Sequence, residues 1–346
     1  MKILLDCRLM VDKPTGISRY SEKLLTFYID KYGVDNVCAL VNATHKKINC
    51  QQIVTSLKPF NIFHWFLFPL WINKLNFDWL ISFHYSGLAF KLKKTKSIVT
   101  VHDLMFELVP GFFNTKLKGI IGKPYFRLIV KQSLKNAHKT ICVSETTKID
   151  LNNIYKLSSS VSGEGLFLEA SPAQSVLDKY NLNRKGYYIY IGNNRPHKNV
   201  DFLKESFQTS RENLPLDTRL VLVGHEGINQ DGIIYTGIVS DEELVSLYNN
   251  AIAFVFPSKY EGFGLPILEA LANSCPVIAS DIPAFREFEN DNIYYFELGN
   301  KKMLSSLLIP QYEFYPLQAE VILDKFSWQN TYSNLNTILD KELCLK

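Results

Sequence analysis

The sequence predicts an α/β protein made of two doubly wound domains, and three observations carry the prediction. The first is length. A chain of 346 residues exceeds what one hydrophobic core usually serves, since cores stop growing at roughly 250 to 300 residues. The second is alternation: short β-branched or apolar runs take turns with stretches of helical period, the pattern of parallel sheets covered on both faces. The third is a single interruption. From about residue 155 to 186 the alternation gives way to "KLSSSVSGEGLFLEASPAQ" and "NLNRKG", and then it restarts. Residues 1–170 and 171–326 are therefore expected to form two Rossmann-like domains, with a last helix over 327–346 packing back on the first.

In the first half the strand candidates are "KILLDC", "VCALVN", "DWLISF", "SIVTVHD" and "KTICVS". Between the first two, "GISRYSEKLLTFYIDKYG" spaces its apolar residues for a helix and ends at Gly33, a natural C-cap. The second half offers "YYIYIG", "RLVLVG", "GIIYTGIV", "AIAFVFPS", "CPVIAS" and "IYYFEL". One helix there, "SDEELVSLYNNA", opens with Ser240 and carries Glu243 three residues on, the spacing of a capping box. Two such domains in tandem are expected to leave a cleft where the carboxyl ends of both sheets face a ligand.

Composition excludes several classes. A chain that is 47% hydrophobic and 21% charged is neither disordered nor fibrous. A formal net charge of +4, with no arginine/lysine block interleaved with aromatics, argues against nucleic acid as a partner. The six cysteines are scattered and form no C-x-x-C pair, so they are expected to be reduced and the protein cytoplasmic. The N-terminus "MKILLDCRLM" meets Asp6 too early for a signal peptide and reads as a buried first strand. The longest apolar window, "FNIFHWFLFPLWI", is interrupted by His64 and Pro69 and falls short of the ~20 residues of a spanning helix.

The chemistry concentrates in "SKYEGFGLPILEALANSCPVIASD", where Glu261 follows a strand and Glu269 sits about one turn into the next helix, begun by Pro266. Gly262 and Gly264 let a backbone approach a ligand closely, and paired carboxylates suit a ligand rich in hydroxyls. The pattern alone serves equally well for a solvated loop acid and a locally bonded helix acid.

This segment resembles the signature of the family 4 glycosyltransferases of the GT-B fold. The likeness is collinear over most of the chain: "TGISRY", "TVHDL", "ICVSETTKIDL", "YIYIGNNRPHKN" and "YTGIVSDEELVSLYNNAIAFVFPS" follow in the family's order. The resemblance implies two Rossmann-like domains facing each other across a cleft, and a retaining transfer from a nucleotide sugar without a metal or other cofactor. No D-x-D triplet occurs in the chain. Lys198 would bind the donor pyrophosphate, with Gly16 at a helix N-terminus near the phosphates. Glu269 would hold the ribose hydroxyls. Glu261 would lie near the transferred sugar beside the backbone of Gly262, Phe263, Gly264 and Leu265. His102 would face the sugar or acceptor, with Asp103 and Arg19 as secondary candidates. A plain strand-to-helix turn at Gly16, a structural His102, a turn-capping Asp103 and a solvated Arg19 are the structural alternatives.

Four departures bear on donor binding. Asn193 stands where many relatives have arginine and His197 where another basic residue is common, so Arg195 is expected to supply the charge. Ser274 replaces a frequent glycine, and "SGEGLF" replaces the usual asparagine-glycine turn. The expected donor is mannose from GDP-mannose, with UDP- and dTDP-sugars open, and the expected acceptor is a lipid-linked surface polysaccharide. Aromatics over residues 60–90 followed by "KLKKTK" suggest peripheral contact with the inner face of the cytoplasmic membrane, or equally a core beside a lysine loop. A catalytically silent nucleotide-sugar binding protein of the same fold is the alternative function.

Overall fold

The computed structural model describes residues 1–10, 15–61, 63–85, 87–113, 116–310 and 312–343, with 116–121 and 340–343 described by backbone alone. The chain divides into two units, Met1–Glu164 with Tyr332–Lys346, and Gly165–Thr331. The first crossing falls inside the Ser- and Gly-rich interruption, between 164 and 165 where the sequence suggested 170 and 171. The second falls within the last helix, Trp328–Leu343, at Tyr332.

The first unit holds seven parallel strands: β1 (Ile3–Asp6), β2 (Val37–Val41), β3 (Gln51–Val54), β4 (Trp79–Ser82), β5 (Lys96–Val101), β6 (Lys139–Cys142) and β7 (Ser160–Val161), in the order β3-β2-β1-β4-β5-β6-β7. Every residue of β1, β2 and β4 is buried, which explains their continuous apolar runs: a parallel strand covered on both faces has no polar side to show. β3 and β7 escaped the sequence reading. β3 is an edge strand with no buried residue, and β7 is two residues long, so neither has an apolar run to notice.

The helix Gly16–Tyr32 begins where Thr15 accepts a hydrogen bond from the Ser18 amide. It ends as its sequence predicts, with Gly33 at φ 83° donating its amide to the Ile29 carbonyl. Tyr20, Leu24, Leu25 and Tyr28 form its buried face. The last helix joins this unit through Tyr332, whose ring stacks on Phe27 with centroids 4.4 Å apart, and through Asn334, whose amide donates to the Ser162 carbonyl.

The second unit holds six parallel strands: β8 (Tyr187–Ile191), β9 (Arg219–Val223), β10 (Ile233–Gly237), β11 (Ala253–Phe256), β12 (Val277–Ser280) and β13 (Ile293–Phe296), in the order β10-β9-β8-β11-β12-β13. All six were legible as apolar runs. The helix Asp241–Asn250 carries the predicted capping box: Ser240 Oγ accepts from the Glu243 amide and Glu243 Oε2 from the Ser240 amide. The five described cysteines, Cys7, Cys38, Cys50, Cys142 and Cys275, carry free thiols, and Cys344 lies outside the described residues.

In both sheets the strand order reverses beside the first strand, at β1/β4 and at β8/β11. At such a switch point consecutive crossovers leave on opposite faces, which opens a crevice outside the carboxyl ends of the strands. The carboxyl edge of the second sheet is drawn tight by Gly224 at φ 85°, whose Cα lies so close to the Gly192 carbonyl that a Cβ would stand 2.6 Å from that oxygen. Gly224→Ala is expected to cost at least about 1–2 kcal/mol from the left-handed backbone alone, read as a lower urea midpoint. A midpoint equal to that of the native protein would show that this edge relaxes freely.

Candidate functional site

The second unit concentrates the predicted donor residues at its switch point. β8 ends at Ile191 and β11 at Phe256, and the loops that follow are tied together by the Lys259 amide, which donates to the His197 carbonyl at 2.7 Å. That bond sets the turn Pro196–Lys198 against residues 258–264. Its product is an ion pair: Lys198 Nζ lies 2.7 Å from Glu261 Oε1, and the ammonium stands 5.1 Å from the centre of the Phe256 ring. With side chains only 14% and 12% exposed, the pair is largely shielded yet still reachable, so each charge sits in a poorly screened setting.

The loop then enters the helix Leu265–Ala272. Gly264, at φ 141°, has Phe288 and Phe285 rings where a Cβ would go, so only glycine fits. Phe263 is buried, edge-on to Phe288 and Phe326, which leaves its backbone rather than its ring for a ligand. Gly262 is buried and Leu265 half-buried. Glu269, one turn into the helix, accepts a hydrogen bond from the buried Tyr248 hydroxyl at 3.3 Å, which fixes its carboxylate on the helix face toward Tyr248.

The departures resolve differently. Asn193 and Arg195 are exposed, and Asn193 Oδ1 accepts from the Arg195 amide. His197 is buried and its Nε2 meets no partner among the described residues. Burial pushes its pKa down to about 4 against the opposing pull of Glu261, and Lys198 and Arg195 reinforce the shift. It is therefore a neutral ring, not a second phosphate cation. Ser274 is left-handed at φ 52°, the conformation that explains a glycine in relatives. It lines a cavity of about 620 Å³ with Lys185, Ile252 and Pro276, residues that precede β8, β11 and β12. Ser274 thus lies at the amino edge of the sheet, and the departure does not touch the Lys198–Glu261 crevice.

In the first unit, Gly16 opens its helix with nothing within 4 Å of where a Cβ would stand, so no internal contact demands glycine there. His102 follows β5 directly. Its Nδ1 lies 2.9 Å from Glu164 Oε1 and its Nε2 3.1 Å from the Phe83 carbonyl. Asp103 Oδ1 accepts from the Met105 amide, so it does cap the following turn. Arg19 is half-buried on the helix flank.

The structure adds residues that sequence reasoning missed. At the β1/β4 switch point Asp6 takes Arg8 in a two-point ion pair at 2.6–2.7 Å and His84 at 3.1 Å, all three buried. Burial works against the Asp6 charge, but Arg8 and His84 outweigh it and hold the carboxyl well below the usual carboxylate range. Arg8 Nη1 also donates to His64 Nε2 at 2.6 Å. A guanidinium can only donate, so His64 is neutral, in line with a pKa pushed down to about 3 by burial and by Arg8. The signal was available: two charges, Asp6 and Arg8, interrupt the otherwise apolar "ILLDCRLM".

His64 opens the helix His64–Ile72, which buries His64, Phe68, Pro69 and Ile72 and exposes Phe66, Leu67 and Leu70, with Phe63 exposed just before it. The exposed stripe is apolar. At the carboxyl end of this helix Asn73 Oδ1 accepts from the Lys93 amide, which brings "KLKKTK" alongside. Residues 62 and 86 of this region lie outside the described residues. Among the described residues no helix is long and apolar enough to cross a membrane.

Residues 44–161 match the family model for Glycosyltransferase Family 4 and residues 176–310 that for Glycosyl transferases group 1. The chain belongs to the glycosyltransferases of the GT-B fold. Among curated proteins it is 30% identical to O-antigen chain mannosyltransferase B of Escherichia coli, over 60% of this chain and 59% of that protein. It is 28% identical to O-antigen chain mannosyltransferase RfbU of Salmonella typhimurium, over 85% and 86%. Sucrose-phosphate synthase of Thermosynechococcus elongatus shares the fold over the full length of both chains, with a TM-score of 0.76 at 16% identity.

The two neutral histidines give a pH dependence with a definite sign. The unfolded chain protonates them near the ordinary value of about 6.5, whereas the folded protein does so only near 4 for His197 and 3 for His64. Between these values the unfolded state binds more protons, so stability is complete above pH ~6.5 and falls on acidification toward pH ~4. Urea midpoints are expected to drop across that range, and His197→Gln to flatten the slope. Superimposable profiles for the variant and the native protein would refute the assignment of a neutral His197.

Proposed function

We propose that this protein is a retaining hexosyltransferase that moves mannose from GDP-mannose to a hydroxyl of a growing, lipid-linked surface polysaccharide. The observation that carries the reading is the Lys198–Glu261 pair at the β8/β11 switch point, a shielded cation placed where a doubly wound sheet receives phosphates. The mannosyltransferase names of its relatives support the sugar.

The roles follow from the groups present. Lys198 meets the charge that grows on the departing diphosphate, together with backbone amides at the N-terminus of Leu265–Ala272. Glu261 holds Lys198 in place and offers its second oxygen to a sugar hydroxyl, while Glu269 accepts the ribose hydroxyls. His102 serves the transferred sugar or the acceptor. The bond from the anomeric carbon to the diphosphate oxygen breaks as the bond to the acceptor oxygen forms on the same face. The acceptor proton passes to a phosphate oxygen of the leaving group. No metal is assigned a part.

Supporting a lipid-linked acceptor, residues 37–102 carry eight lysines against the single acid Asp78, and the exposed stripe Phe63, Phe66, Leu67 and Leu70 stands among them. Aromatic and aliphatic side chains beside lysines suit an anionic bilayer surface.

Two experiments test this reading. In a thermal-shift panel of GDP-, UDP- and dTDP-sugars, GDP-mannose is expected to stabilise the protein and to be turned over equally well with EDTA. Lys198→Ala should lose about 10²- to 10³-fold in kcat. Stabilisation without turnover would favour the silent binding protein, and activity lost to EDTA and restored by manganese would remove the metal-free mechanism. In co-sedimentation, binding to anionic liposomes is expected to weaken when Lys91, Lys93 and Lys94 are neutralised or Phe66 and Leu70 become serine. Binding that survives both sets of changes rules out this face.

A further inference from the structure

We infer that Glu164 is the positioning residue for His102. The inference rests on the role proposed above for His102 and names what holds it. β5 and β7 are separated in the sheet by β6, yet both end at the same edge, so the residues after them can meet across the end of β6. His102 follows β5 directly. After β7 the chain turns at Gly163, at φ 80°, and delivers Glu164 to the imidazole.

The surroundings fix the ring. Tyr20, fully buried on the helix that Gly16 opens, sets its ring edge-on to His102 at 4.8 Å and to Phe83 at 5.9 Å. Its hydroxyl points toward Ser162 Oγ at 3.5 Å, two residues before Glu164. The hydroxyl of Thr147 donates to the His102 carbonyl at 3.2 Å, so the backbone of His102 is held as well as its ring.

Hydrogen-bond bookkeeping then constrains the proton. The Phe83 carbonyl can only accept, so His102 Nε2 carries a hydrogen. Nδ1 faces a carboxylate oxygen at 2.9 Å, and that short contact requires one further proton between Glu164 and the ring. A carboxylate only 5% exposed is costly unless a partner of this kind satisfies it, and His102 is such a partner. The ring is left 13% exposed, orientated from three sides. Glu164 itself touches no reacting group; it acts by holding the group that does.

The test is a double-mutant cycle on the full chain, using whichever nucleotide sugar gives the largest thermal shift. Glu164→Ala is expected to lower kcat by on the order of 10- to 100-fold with little change in donor KM, the loss that follows when a reacting group is misplaced by about 1 Å. Glu164→Gln, whose amide NH2 can donate to Nδ1 of a ring that carries its hydrogen on Nε2, should regain most of it. His102→Ala combined with Glu164→Ala should be no worse than His102→Ala alone. Retained thermal stabilisation by the free nucleoside diphosphate, bound by the other unit, shows that each variant is folded. Full activity in Glu164→Ala, or losses that multiply in the double variant, would overturn the inference while leaving the proposed function standing. Full activity in His102→Ala would overturn the role of His102 and this inference with it.

Discussion

Each half of this protein depends on one constraint: a parallel sheet must hide both faces, and all its strands end on the same edge. Hiding both faces forces the runs of Ile, Leu, Val, Phe and Tyr that form β1, β2, β4, β8, β9, β11 and β12, and it confines polar chemistry to the loops. Ending on one edge then gathers those loops. In the second unit the segments after β8 and β11, far apart in sequence, are stitched by the Lys259–His197 backbone bond, and Lys198 meets Glu261. The first unit assembles Asp6, Arg8 and His84 after β1 and β4, and His102 with Glu164 after β5 and β7, by the same rule.

What distinguishes these edges from ordinary loop clusters is that their charges are shielded and matched. A lone buried carboxylate or ammonium would be neutralised by a shifted pKa or expelled into water. Here each has an opposite or proton-bearing partner. The Asp6–Arg8–His84 cluster is fully closed and anchors β1 to the helix that begins at His64. The Lys198–Glu261 and His102–Glu164 pairs keep a small exposed share, which is what a group that must meet a ligand requires. The two kinds of cluster thus separate by access rather than by residue type.

Much of this was legible beforehand. Eleven of the strands announced themselves as apolar runs, and Gly33 and the Ser240/Glu243 box marked helix ends correctly, because these signals are local and a backbone obeys them wherever it folds. β3 and β7 were not legible: one is an exposed edge and the other is two residues long. The donor motif around Glu261 and Glu269 was readable as a motif. Its charge state was not, since His197 looks basic in sequence and only its burial makes it neutral. Ser274 likewise read as a disturbance of the donor site until the fold placed it at the opposite edge of the sheet.

The sequence by itself determined the alternation of strand and helix, the two-unit organisation and the residue types available at each strand end, because apolar period and turn chemistry are properties of short stretches. Tertiary structure alone decided the pairings. Glu164 sits in the "SGEGLF" segment, which the sequence marks only as a departure from the usual turn, and it finds His102 only because β5 and β7 end at one edge with β6 between them. Such a contact joins residues 62 positions apart, and no local rule of propensity or spacing contains it.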